Sequence, residues 1–301
     1  MNRITRIIVA TVVGFGLSRV MPVKRAVQAD SQSPTLHPIV VGALDAAPAF
    51  KWSKQNTPYL DSMRARFELD DVTAGAKNDY ERVRALSHWT RTRSDRNGSP
   101  EARRKDPVGI LDEVTAGQQF RCEDYALVLS GVLNAMGMPA RVLNLRTADA
   151  ETRISGAGHV VAEAYLRDAK RWVMVDGQWD MIPFVKGKPA SALELKTAID
   201  GKSASISYNS MSGIRAADYS RWIAPYLYYM DAKLDQRVVG ATDVRVLMYV
   251  PQGGKAIRTF QRKTPLKNVI YTTAPAIFYP RMPMLQAPAA ASIRVTARTA
   301  G

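Results

Sequence analysis

A chain of 301 residues, 46% hydrophobic and 23% charged, can bury a substantial core without covalent staples. Its one cysteine excludes an internal disulfide and a cysteine-rich metal centre, and three histidines (His37, His88, His159) argue against a histidine-cluster site. The net charge of +15 favours anionic surfaces such as acidic glycans, envelope polymers, lipid head groups or nucleic acid, but no helix-turn-helix, zinc-finger or RRM-like pattern accompanies it.

Five of the positive charges lie in the first 29 residues, which hold no acid, so +10 remains for the rest. Arg3 and Arg6 precede the apolar run Ile7 to Leu17, and Val27-Gln28-Ala29 offers a small-residue cleavage site. The run is short for a membrane span. The expectation is a signal peptide over 1–29, cut near Ala29, and a periplasmic or secreted protein. Lys24 and Arg25 are irregular for such a signal, so an uncleaved anchor stays open.

Residues 30–58 are rich in Pro, Ser and Ala and read as an extended linker that orders against the body near Trp52 and Tyr59. A short helix is expected over 59–69. A longer one runs from about Asn78 to Thr92, with Tyr80, Val83, Leu86 and Trp89 or Thr90 facing inward. His88 on this helix reads either as a packed histidine or as a second active-site base. A polar loop, Arg93 to Lys105, follows, and order restarts at Pro107 to Leu111.

The next helix opens at Cys122. Tyr125, Val128, Leu129, Val132, Leu133 and Met136 make a buried stripe, and Gly137 stops the helix. Taken alone, such a cysteine reads as a small buried hydrophobe. Yet a thiol in a first helical turn faces unpaired N–H groups and the positive end of the dipole, which favour the thiolate and can hold an oxyanion. In an exported protein a lone unpaired thiol also needs a reason.

A strand is expected over Ala140 to Leu145, a loop over 148–158, then strands His159 to Leu166 and Arg171 to Asp176. Asp168-Ala169 is a two-residue hairpin turn. By the period of two, His159, Val161, Glu163 and Tyr165 share one face. If Arg167 pairs with Lys170, Val161 falls opposite Asp176, so Asp176 and His159 become near neighbours on one face. A slip of one residue would separate them.

Gly177 to Lys188 reads as loop and Leu193 to Ile199 as a helix. The aromatic stretch Tyr219 to Met230 reads as a helix kinked at Pro225, or as a stacking surface for sugar or peptide. Residues 243–250, 256–262 and 268–273 alternate like strands, either as a small β extension or on the main sheet. From Ala274 the chain reads as a surface tail.

A nucleophilic cysteine needs a base, and the base an orienter. Cys122, His159 and Asp176 occur in that order. Gly117, Cys122 and Tyr125-Ala126 are followed by Gly137-Met138-Pro139-Ala140-Arg141. Then come Gly158-His159-Val160 with Glu163 and Tyr165, and Arg171-Trp172 with Val175-Asp176. This succession resembles the transglutaminase-like superfamily over residues 78–180, about a third of the chain. The resemblance implies an α+β, papain-like fold with the catalytic helix packed on an antiparallel sheet, here followed by a C-terminal β-rich extension. It implies Cys122 as nucleophile, His159 as general base, Asp176 as orienter, and structural roles for Glu163 and Trp172. The family's polar oxyanion side chain has no clear counterpart; Gln118 and Gln119 are the candidates, and bulky Phe120 and Arg121 would narrow the cleft.

The expected organisation is thus a signal or anchor (1–29), an N-terminal extension (30–77), the core (78–200), and a helical and β extension with a tail (201–301). The expected activity is an exported cysteine-dependent amide hydrolase acting on a peptide or protein amide, with an anionic envelope polymer as a further partner. Acyl transfer to an amine and a non-catalytic binding module are the alternatives. No metal or organic cofactor, specific nucleic acid or obligate partner is implied.

Overall fold

A computed structural model describes residues 48–94 and 101–282. The signal or anchor, most of the linker, part of the polar loop and the end of the tail lie outside the described residues.

Five helices come first: α1 (Pro58–Arg66), α2 (Leu69–Val72), α3 (Asp79–Arg91), α4 (Pro107–Thr115) and α5 (Cys122–Ala135). Their starts follow local chemistry. Asn78 accepts the Glu81 amide at 2.9 Å to cap α3, and Asp106 accepts the Gly109 amide at 2.9 Å to cap α4. Pro107 then occupies a position where its missing N–H costs nothing. Gly137, at φ 72°, closes α5, and the Met138 amide donates back to the Leu133 carbonyl at 2.9 Å.

The strands are β1 (Ala140–Arg146), β2 (Gly158–Leu166), β3 (Arg171–Val175), β4 (Ile182–Val185), β5 (Lys188–Pro189), β6 (Ile206–Asn209), β7 (Tyr229–Lys233), β8 (Val246–Tyr249), β9 (Thr259–Phe260), β10 (Thr264–Pro265) and β11 (Val269–Thr272). The main sheet has the order β11-β8-β7-β1-β2-β3, antiparallel except for the β11–β8 pair. A second sheet has the order β5-β4-β6, and β9 and β10 form a small hairpin. The remaining helices are α6 (Ala192–Asp200), α7 (Ala216–Ile223) and α8 (Pro275–Phe278), with a 3-10 turn over Ala224–Tyr226.

Alternation along the strands divides the core into two layers. Ala162, Ala164, Val173 and Val175 pack with α1, α3, α4 and α5. Val161, Leu143, Leu145 and Met174 pack with α6, α7, β7 and β8 on the other face. The α5 stripe of Tyr125, Val128, Leu129, Val132 and Leu133 is fully buried between α1, α3 and α4 on one side and the sheet on the other.

Three stretches differ from the sequence reading. Within the stretch read as loop, residues 182–185 and Lys188 lie in strands, because very short strands (one containing Pro183) leave no period to read. The aromatic stretch is helical only to Tyr226 and becomes the inner strand β7 at Tyr229, with Pro225 in the 3-10 turn. The region after Ala274 is no surface tail as far as Met282: Phe278 is fully buried and its carbonyl accepts from Arg141 at 2.7 Å. The strands after residue 243 join the main sheet as β8 and β11 and also form the β9–β10 hairpin.

Candidate active site

The β2–β3 hairpin sets the geometry. Its ladder runs from Leu166 opposite Arg171 to Ala162 opposite Val175, so the next pair is Val161 and Asp176. The turn carries Lys170 at φ 49°. It is held to α3: Asp79 accepts from the Arg167 amide and guanidinium, and Asp168 accepts the Asp79 amide at 3.0 Å.

In this register His159 and Asp176 meet. Nε2 of His159 lies 2.7 Å from Oδ2 of Asp176, with the imidazole 3% exposed and the carboxylate fully buried. A carboxylate buried this deeply is costly unless donors surround it. They do. Tyr219 donates its hydroxyl to Oδ2 at 2.9 Å, and the amides of Gln178 and Trp179 donate to Oδ1 at 3.1 and 3.2 Å. Those amides are in place because the chain turns back immediately, with Asp176 and Met181 exchanging backbone hydrogen bonds. Gly177 permits the turn to sit on α5: a Cβ there would lie 3.1 Å from Leu129.

The helix α5, packed in the other layer, presents Cys122 half-buried at its first position. Asp124 accepts the Arg121 amide at 3.0 Å and so fixes the entry to the helix. Burial opposes charge on His159, but Asp176 and then Cys122, each close enough for a hydrogen bond, raise its pKa from the ordinary 6.5 to about 9. Since Nε2 is engaged by Asp176, Nδ1 is the nitrogen left for the sulfur. Trp222 meets the imidazole edge-on at 4.8 Å, Tyr226 lies at 6.1 Å, and Trp179 backs Trp222 at 5.0 Å. These rings keep water from the His159–Asp176 bond.

Residues 69–177 match the sequence model of the transglutaminase-like superfamily. These residues form a transglutaminase-like core. At family level it is of the cysteine-type hydrolase or acyltransferase kind. No curated protein matches the chain. Solved structures with some likeness include a TGase (17% identity, TM-score 0.30, 40% of this chain and 31% of the other). A candidate cysteine protease from Cytophaga hutchinsonii has 16% identity, TM-score 0.32, and 51% and 48% coverage. A candidate protease from Parabacteroides distasonis has 15% identity, TM-score 0.26, and 38% and 25% coverage. The chain thus spans about half or less of the length of each.

Other sequence candidates are placed as follows around the transglutaminase-like core. Gln118 is exposed and Gln119 half-buried in the turn before α5, and neither amide joins the hydrogen bonds of Cys122, His159 and Asp176. Phe120 does not narrow the cleft: it is 1% exposed and packs edge-on to Tyr125 at 5.0 Å. His88 binds Oδ2 of Asp180 at 3.0 Å, a carboxylate that also accepts from Ser87 and Ser212, so it stands apart from Asp176. Glu163 is a structural residue, paired with Arg141 at 2.7 Å where both are fully buried.

Tyr219 was missed as a site residue. Its hydroxyl reaches Asp176 across 43 residues of sequence, and the only signal was its place in an aromatic cluster. A large cavity lies away from this site, beside α6.

Proposed function

We propose that the protein is an exported cysteine-dependent amide hydrolase, acting on peptides or envelope peptides through Cys122, His159 and Asp176. The observation that carries the reading is the buried His159–Asp176 pair with Cys122 close enough to the imidazole to raise its pKa. With a pKa of about 9, His159 is an imidazolium at neutral pH.

The thiolate attacks the amide carbonyl, and the oxyanion is held by N–H groups at the start of α5. The imidazolium gives its proton to the leaving nitrogen, the C–N bond breaks, and a thioester remains. The now neutral imidazole takes a proton from water, the hydroxide attacks the thioester, and the carboxylic acid leaves as the thiolate and imidazolium return. Asp176 keeps the ring oriented throughout. An amine in place of water would give acyl transfer. Export is supported by the basic, apolar and small-residue pattern of residues 1–29, and N-terminal sequencing of the mature protein tests it. The net charge of +15 suits an anionic envelope polymer as partner.

The deciding measurement is alkylation of Cys122 by iodoacetamide against pH, in the wild type and in His159→Ala. The expected result is modification already fast at pH 6, lost in the variant. A rate that rises only near the ordinary thiol value of about 8.5 in both proteins would sink the proposal.

A further inference from the structure

A cavity of about 1020 Å³ opens between the β4–β5 turn, α6 and the start of β3. At about 3.3 Å per residue, Arg171 at its edge stands roughly 17 Å along β3 from Asp176. It is therefore separate from the candidate active site.

Its floor is apolar, with Trp172, Leu193 and Pro275 among the lining groups. Its rim is basic: Arg171, Lys186 and Lys188. The acid in the lining, Glu194, is already engaged, with Oε1 bound by Arg171 at 2.8 Å and Oε2 by the Ser191 amide at 2.8 Å. The two lysines are exposed and form no ion pair among the described residues.

We propose that this cavity binds a small amphipathic anion, its carboxylate or phosphate head at Arg171, Lys186 and Lys188 and its apolar body on Trp172 and Leu193. The volume suits one ligand of that size, and an apolar floor with a few convergent polar groups is the usual make-up of such sites. The head balances the two free ammonium groups.

The test is titration calorimetry of the whole protein with decyl phosphate, below its micelle concentration. Inorganic phosphate and decyltrimethylammonium serve as comparators. One-to-one binding of decyl phosphate is expected, at least about tenfold tighter than either comparator. In Lys186→Gln/Lys188→Gln the affinity should fall roughly tenfold, and in Thr197→Trp, which fills the cavity from an exposed helical position, binding should be lost. Thermal unfolding shows whether both variants remain folded. Equal binding of the alkyl cation, or unchanged affinity in both folded variants, would overturn the proposal, and Cys122 alkylation would be unaffected either way.

Discussion

Tyr219 is the residue on which Asp176 most depends outside its own turn. Its pKa is well above 10, through burial first and then the neighbouring Asp176 charge, so the hydroxyl remains a donor. Tyr219→Phe removes that donor and leaves part of a buried carboxylate unpaired, at a cost of about 1–3 kcal/mol in unfolding free energy. It also strengthens the field of Asp176 at the imidazole, so the pH at which the His159 ring resonances titrate in NMR should move higher; an unchanged titration would mean that the hydroxyl is electrostatically silent. His159 makes a second prediction. Its folded pKa of about 9 exceeds the ordinary 6.5, so its stabilisation is complete below about pH 6.5 and is lost as pH rises through about 9. The full effect is of the order of 3 kcal/mol. Urea unfolding of wild type and His159→Gln should show a stability gap at pH 6 that closes by pH 10.

At the level of elements, the α4–α5 contact rests on Gly131. A Cβ there would lie 2.5 Å from Cγ of Pro107, a ring atom that cannot swing aside. Glycine to alanine in a helix ordinarily gains about 1 kcal/mol. Overpacking here costs about 1–3 kcal/mol, so Gly131→Ala should be neutral or destabilising in a urea melt, and clear stabilisation would show that α4 shifts freely. The β2–β3 hairpin was the most legible element. A short turn and a period of two leave one register that places His159 beside Asp176, and Ala162 opposite Val175 is that register. The stripe of α5 was legible for the same kind of reason, a sustained period of 3.6. β4, β5 and β6 were not, since two to four residues are too few to show alternation. The Tyr219–Asp176 bond was not legible because it joins distant elements through tertiary packing rather than local pattern.

Across the whole molecule, Arg141 is the point where distant parts of the chain converge. Its guanidinium is fully buried, paired with Glu163, and ringed by Phe50, Trp172, Phe278 and Tyr279 at 4.6–5.4 Å. Glu163 also accepts from the Ala192 amide and the Tyr279 hydroxyl, each at 2.9 Å. Removing one partner strands the other charge, so Glu163→Gln should cost about 3–5 kcal/mol in unfolding free energy, far more than a surface ion pair. A loss under about 1 kcal/mol would mean that the aromatic ring suffices. The same convergence dictates an order of events during synthesis. The stretch that carries Cys122, His159 and Asp176 leaves the ribosome about a hundred residues before Phe278 and Tyr279 do. Until those last side chains arrive, Arg141 and Glu163 lack part of their enclosure and water can enter between them. Enclosure of that ion pair therefore waits on the arrival of Phe278 and Tyr279.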